Sequence, residues 1–82
     1  MATGGQARMS KVVAMLEACA DGFSIKPKEH LQWVFYNGKT SRLPKGEHGK
    51  ADPEIQKGHI KRMIRHLEID LECAEKHLEI LR

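Results

Sequence analysis

The sequence is poor in the features that mark membrane proteins and disulfide-rich secreted proteins. Its 82 residues include two cysteines, three prolines, one Trp, one Tyr and two Phe. No apolar run reaches the roughly 18 to 20 residues that a membrane-spanning helix needs, and the first eight residues lack the apolar centre of a secretory signal. We therefore expect a cytoplasmic protein that does not cross a membrane.

The scarcity of cysteine argues against a dense disulfide framework and against a four-ligand zinc site. Cys19 and Cys73 lie far apart and lack the paired spacing that such sites show. Cys73 and His77 have the i, i+4 spacing of a metal pair, but two ligands do not complete tetrahedral coordination. We expect both cysteines to be small buried apolar side chains, and we expect no metal and no small-molecule cofactor.

The composition is that of one small globular domain. Hydrophobic residues make up 40% and charged residues 30% of the chain, which is too apolar for a disordered chain and too charged for a membrane protein. Residues 1–8 show no periodicity, so we expect them to be disordered. Residues 9–82 are expected to form a single domain.

Positive charge is concentrated in the middle of the chain. Between Ser24 and His66 there are ten Lys and Arg residues and four Asp and Glu residues, a local charge of +6 in a chain whose net charge is +3. Such a segment is typical of a surface that binds a polyanion. A solvated lysine-rich surface is the alternative interpretation.

Apolar periodicity predicts a helix, three antiparallel strands and two further helices. The first helix is expected to begin near Ser10 and to end at Asp21-Gly22. Asn37-Gly38 favours the type I′ turn of a β-hairpin, because both residues tolerate positive φ. A helix that includes the stripe Ile60, Met63, Ile64 and Leu67 follows, and Asp70 is expected to cap a last helix over about 70–82. The strands are predicted at 23–26, 30–36 and 39–43.

Alternation along the second strand predicts which side chains the helices cover. The bulk of Trp33 and Phe35, with Leu31, favours burial of their face, so Gln32, Val34 and Tyr36 are expected on the face left open to solvent, together with His30. Three strands with helices packed on one face form a two-layer α+β sandwich.

The order and spacing of these features resemble the HicA family from Ser10 to about His77. The resemblance rests on Asp21-Gly22-Phe23, on His30 opening a strand, on Asn37-Gly38 and on a basic third strand that ends at Pro44. Residues 44–49 are similar to the family's Pro-basic-His-Gly segment with two residues inserted, and residues 57–69 are similar to its glycine-started second helix. Lys28-Glu29 stand where the family usually has Gly-Ser.

The resemblance implies a fold, an activity and partners. The fold would be similar to the double-stranded RNA-binding domain, α-β-β-β-α, here with an additional C-terminal helix. The activity would be that of a toxin mRNA interferase, a metal-independent endoribonuclease of a type II toxin–antitoxin system. The partners would be mRNA and a HicB-like antitoxin protein. The family's essential histidine at the second strand would correspond to His30.

The chemistry of RNA cleavage suits this assignment. A neutral histidine can take the proton of a ribose 2′-hydroxyl as that oxygen attacks the phosphorus, so His30 is the predicted catalytic base. Cationic side chains would stabilise the phosphate, and polar or aromatic side chains would contact sugar or base. The predicted RNA-binding residues are Lys28, Gln32, Tyr36, Lys39, Arg42 and Lys45. A non-catalytic RNA-binding module and a protein-interaction domain remain the alternatives.

Overall fold

The helices and strands follow the predicted order, with one additional pair of strands. The computed structural model describes residues 5–28, 31–44 and 53–81. These ranges contain β1 (Gln6–Arg8), α1 (Met9–Cys19), β2 (Ser24–Lys28), β3 (Leu31–Tyr36), β4 (Lys39–Pro44), β5 (Glu54–Gln56), α2 (Lys57–Leu67), α3 (Leu71–His77) and a 3-10 turn (Glu79–Leu81). The architecture is therefore α+β. Within the described ranges, every helix is too short or too polar to cross a membrane.

The central feature is an antiparallel sheet in the order β2-β3-β4. Asn37 and Gly38 connect β3 to β4 with φ of 58° and 74°, the left-handed backbone that a type I′ turn requires, and this confirms the predicted hairpin. Pro27 lies inside β2 and does not interrupt it. Proline is tolerated there because β2 is an edge strand, whose outward amide position needs no partner in the sheet.

The predicted assignment of the sheet faces is wrong. Val34 is fully buried, and its cross-strand partner Ser41 and the nearby Leu43 are buried with it. Trp33 and Phe35 are only half-buried and lie on the opposite side. Because Arg42 alternates with Ser41 and Leu43, burying the large rings would also bury the guanidinium group, and the opposite phase avoids that cost.

The additional strand pair joins the beginning of the described chain to the segment before α2. β1 pairs antiparallel with β5, Ala7 lying opposite Ile55. The Met9 amide donates to the Pro53 carbonyl at 2.8 Å, and the Lys57 amide donates to the Gly5 carbonyl at 2.8 Å. The first amide of α1 and of α2 is thus satisfied across the pair. Residues 6–8 were expected to be disordered, whereas the structure places them in a strand.

The core lies between the sheet and the helices. All four residues of the predicted stripe on α2 are buried, Ile60, Met63, Ile64 and Leu67, and α2 packs on β4 while α3 packs on α1. The expected cap of α3 is confirmed, since the Asp70 Oδ1 accepts from the Glu72 amide at 3.1 Å. The last helix is shorter than predicted, because a 3-10 turn replaces its final part.

A disulfide bond joins Cys19 at the end of α1 to Cys73 on α3, with 5.8 Å between the two Cα atoms. The sequence led us to expect two unreactive buried cysteines, and this expectation is wrong. A separation of 54 residues gave no sign that the two side chains meet. The bond holds α3 against α1 covalently.

Candidate nucleic-acid interface

The face of the β2-β3-β4 sheet that turns away from the core combines aromatic and cationic side chains. We call it the outer face. By strand alternation its described members are Ser24, Lys26, Lys28, Leu31, Trp33, Phe35, Thr40, Arg42 and Pro44. Among these residues three are cationic and none is acidic, so the described part of the face carries positive charge.

Trp33 occupies the centre of this face. Its cross-strand partner on β2 is Lys26 and its partner on β4 is Arg42, so the three side chains form one row across the sheet. Lys26 and Arg42 are exposed and Trp33 is half-buried. Directly opposite residues on neighbouring strands lie close enough for their side chains to interact. The row therefore presents an aromatic ring between two cations.

The two cations also lie over aromatic rings. The Arg42 guanidinium carbon is 5.7 Å from the centre of the Trp33 ring, and the Lys26 Nζ is 5.8 Å from the centre of the Phe35 ring. Such contacts contribute about 0.5–1 kcal/mol at exposed sites, whereas stacking a nucleobase on an aromatic side chain contributes about 1–3 kcal/mol. A base can therefore displace a long cationic side chain from a ring, and the cation is then free to contact a phosphate.

The predicted site residues do not all lie on this face. Lys28 and Arg42 are exposed members of it. Gln32 and Tyr36 belong to the opposite, helix-covered side. The Gln32 amide nitrogen donates to the Pro44 carbonyl at 3.4 Å, and the Tyr36 ring packs against the core. His30 and Lys45 lie outside the described residues.

Lys39 also belongs to the helix-covered side and already has a partner. Its ammonium group forms an ion pair with the Glu68 carboxylate. Glu68 is the residue directly after α2 and has a left-handed backbone with φ of 59°. The hydrogen bond from Lys39, together with its charge, lowers the pKa of the Glu68 carboxyl group. This pairing reduces the positive charge that Lys39 offers to a phosphate.

Sequence reasoning missed Lys26 as a member of the outer face and placed Leu31, Trp33 and Phe35 on the buried face. A usable signal was present in β4, where Arg42 stands between Ser41 and Leu43. The cross-strand neighbours of Arg42 must share its exposed face. The hairpin register set by Asn37-Gly38 identifies Trp33 as one of those neighbours.

Other described residues offer two further features. The exposed side of α2 carries Lys61, Arg62 and Arg65, but α2 packs on the other side of the sheet, so its cations cannot join the outer face. Cys19, Cys73 and His77 place their potential ligand atoms within 4.8 Å of one another. They form the one group of three such side chains in the part of the chain that the structure describes.

Comparisons of this chain with protein-family models, with curated proteins and with solved structures gave no match in any of the three searches.

Proposed function

We propose that the protein binds single-stranded RNA on the outer face and cleaves it as a HicA-like, metal-independent endoribonuclease. In this proposal it is the toxin of a type II toxin–antitoxin pair, its substrate is mRNA, and a HicB-like antitoxin covers the same face. The fold would be related to the double-stranded RNA-binding domain, α-β-β-β-α, with α3 as an addition.

The observation that supports RNA binding is the row of Lys26, Trp33 and Arg42. Proteins recognise single-stranded RNA chiefly by stacking unpaired bases on aromatic rings and by neutralising phosphates. The row supplies one ring with a cation on either side, and Phe35 supplies a second ring on the same face. A base on Trp33 would leave its flanking phosphates within reach of long cationic side chains. The absence of acidic side chains among the described residues of this face removes repulsion.

The support for cleavage comes from the sequence. Glu29 and His30 lie between Lys28 and Leu31 in the chain, and Lys28 and Leu31 belong to the outer face. A histidine with an ordinary pKa is largely neutral at physiological pH and can take the proton of the 2′-hydroxyl group. Lys28 and Arg42 would stabilise the negative charge that develops on the phosphate.

The antitoxin would be expected to place acidic side chains against the outer face. Charge complementarity with Lys26, Lys28 and Arg42 would speed association, and burial of Trp33 would give the contact an aromatic centre. RNA and the antitoxin would then compete for one surface.

A non-catalytic RNA-binding module is the second candidate, and one observation favours it. The row on which RNA binding rests does not include His30, and Lys28-Glu29 precede that histidine in place of the small residues typical of HicA proteins. The outer face would bind RNA equally well without cleaving it. A protein-interaction domain is the third candidate.

Purified protein mixed with labelled single-stranded RNA distinguishes these candidates. Under the leading proposal the wild-type protein binds and cuts the RNA in the presence of a chelator, Trp33→Ala loses affinity, and His30→Ala still binds but does not cut. Binding without cleavage by the wild type supports the non-catalytic module. Failure to bind RNA at low salt contradicts both RNA proposals and leaves the protein-interaction domain.

Expression in a bacterial host extends the same comparison. The wild-type chain is expected to arrest growth with loss of mRNA, and His30→Ala is expected to be harmless at an equal level of folded protein. His66→Ala provides the matched control, because His66 is an exposed histidine near the end of α2.

A further inference from the structure

The surroundings of the disulfide bond contain a third group with metal-binding chemistry. Cys19 is the last residue of α1, and Cys73 and His77 lie one turn apart on α3. The His77 Nδ1 atom is 3.7 Å from the Cys19 Sγ atom and 3.0 Å from the Cys73 carbonyl oxygen. An imidazole ring is thus held beside both sulfur atoms by the helix that carries it.

The distance between His77 and Cys19 fits a zinc site. With Zn–S bonds of about 2.3 Å, Zn–N bonds of about 2.0 Å and tetrahedral angles, the sulfur and nitrogen ligands of one zinc ion lie roughly 3.6 Å apart. The observed 3.7 Å needs almost no adjustment. The two sulfur atoms would have to move from bonding distance to roughly 3.8 Å. Rotation of the two cysteine side chains can provide this while the Cα atoms stay near 5.8 Å.

We propose that Cys19, Cys73 and His77 form a redox-dependent zinc site. In the oxidised protein the two sulfur atoms are bonded to each other and the site is closed to metal. In the reduced protein two thiolates and the His77 imidazole bind one Zn²⁺, and water takes the fourth position. Nδ1 is the ring nitrogen that faces Cys19, so it ligates the metal and moves away from the Cys73 carbonyl oxygen. This proposal is independent of RNA binding.

The exchange between the two states balances with reagents of ordinary chemical classes. A dithiol reductant transfers two electrons and two protons to the disulfide and becomes a disulfide itself. Zn²⁺ then displaces both thiol protons as the thiolates bind. In the reverse direction hydrogen peroxide takes two electrons from the thiolates and, with two protons, becomes two water molecules. The disulfide forms again and Zn²⁺ is released.

The surroundings allow metal and water to enter. Cys19 and Cys73 are half-buried and His77 is exposed. His77 also lines an open cleft of about 540 Å³ between β1, β5 and the end of the described chain. The His77 side of the proposed zinc site is therefore open to solvent, although the two cysteines do not line this cleft. Three protein ligands with an open position are the arrangement that zinc adopts where it exchanges ligands readily.

Both states would hold α3 against α1. Disulfides are rare in a reducing cytoplasm, where thiols persist, and are common in oxidising compartments. Ala74 on α3 and Leu78 directly after it are buried in the core, and α3 packs on α1, so separation of the two helices would expose apolar surface. A metal bridge in the reduced protein and a disulfide in the oxidised protein would each retain that packing.

Cobalt(II) is the probe for the test, because thiolate ligands give it a charge-transfer absorption band that a nitrogen and oxygen site lacks. The untagged 82-residue chain is reduced with a phosphine, freed of reductant without oxygen and titrated with Co²⁺, and Zn²⁺ is then added as competitor. We expect one Co²⁺ per reduced chain with the thiolate band, displacement by Zn²⁺, and no binding by the oxidised chain. Addition of hydrogen peroxide should release the metal.

The matched variants are His77→Ala and His66→Ala. Each removes one exposed histidine, so both should fold, which circular dichroism checks. His77→Ala is expected to weaken cobalt binding by at least tenfold, since even loss of a residue that only orients a ligand costs roughly 10- to 100-fold. His66→Ala should bind like the wild type. Absence of the thiolate band in the folded, reduced wild type, or equal affinity in His77→Ala, would overturn the proposal.

Discussion

The two faces of the β2-β3-β4 sheet are built from the same strands and differ in the size and the burial of their side chains. The helix-covered face carries the smaller side chains Val34, Ser41 and Leu43, all buried. The outer face carries Trp33 and Phe35, which are larger and only half-buried. Whether a sheet face can be buried therefore depends on the side chains that every strand contributes to it. The bulk of the residues on one strand alone is a poor guide to which face is buried.

The difference also separates stability from binding. Val34, Ser41 and Leu43 on the helix-covered face are shielded from water and contribute to the free energy of folding. The rings of the outer face keep part of their surface accessible and have cations over them. Substitutions on one face should thus reduce stability, and substitutions on the other should reduce RNA affinity.

The largest expected effect is on stability, from Leu43→Ala. Leu43 is fully buried, and truncating such a leucine typically lowers the free energy of unfolding by about 2–5 kcal/mol. Urea denaturation measures the change. Trp33→Ala on the neighbouring strand should lower stability much less, although it removes more atoms. An equal or larger loss of stability in Trp33→Ala would mean that the Trp33 ring is buried in the folded protein and that the outer face is not open to solvent.

The second effect is on RNA affinity, from Trp33→Ala. Loss of one stacked base should reduce the binding free energy by about 1–3 kcal/mol, which corresponds to a roughly 5- to 150-fold larger dissociation constant. Fluorescence anisotropy with a short single-stranded RNA measures it. Leu71→Ala, which removes an exposed apolar side chain from α3, serves as control and should bind normally. Unchanged affinity of Trp33→Ala would show that RNA does not bind through the outer face.

A smaller effect is expected on the salt dependence, from Lys26→Gln and Arg42→Gln. Log affinity falls as log salt rises. For each phosphate of the single strand that a variant no longer neutralises, the magnitude of this negative slope should decrease by roughly 0.7. Lys11→Gln, with the same change of charge at an exposed position of α1, should leave the slope nearly unchanged. If all three variants shift the slope equally, RNA responds to the overall charge and not to this face.

The smallest effect concerns the ion pair of Lys39 with Glu68 on the other side of the sheet. Because Lys39 lowers the folded-state pKa of the Glu68 carboxyl group, the pair stabilises the fold above the unfolded-state pKa. That contribution disappears as the pH falls through the lowered folded-state value. An NMR titration should find a depressed Glu68 pKa that rises toward its ordinary value in Lys39→Met. An identical pKa in both proteins would contradict the pairing.

Local signals predicted the parts of the fold that local chemistry determines. Asn37-Gly38 specified the hairpin, the stripe beginning at Ile60 specified the buried side of α2, and Asp70 was correctly identified as a helix cap. These features depend on residues a few positions apart, whose spacing is visible in the sequence. The element order and the α+β architecture follow from them.

Features that join distant residues could not be predicted in the same way. β1 and β5 are three-residue strands without a clear alternation signal, and their pairing appears only in three dimensions. The Cys19–Cys73 bond likewise joins two residues that are distant in the sequence and meet only in the folded structure. The face error arose because side-chain bulk on β3 was weighed and the position of Arg42 on β4 was not. The role of His30 stays a prediction.

The β1–β5 pair has a consequence for the order in which the chain folds. The β3–β4 hairpin closes over the two-residue turn of Asn37-Gly38, and such hairpins form in about 1–10 μs. Gln6 meets Gln56 across most of the chain, so this pair must wait until the intervening segment has become compact, since closing a long loop is entropically unfavourable. The first amides of α1 and α2 find their carbonyl partners only at that moment. The two helices should therefore fray at their beginnings until the last step of folding, and should exchange those amide hydrogens together.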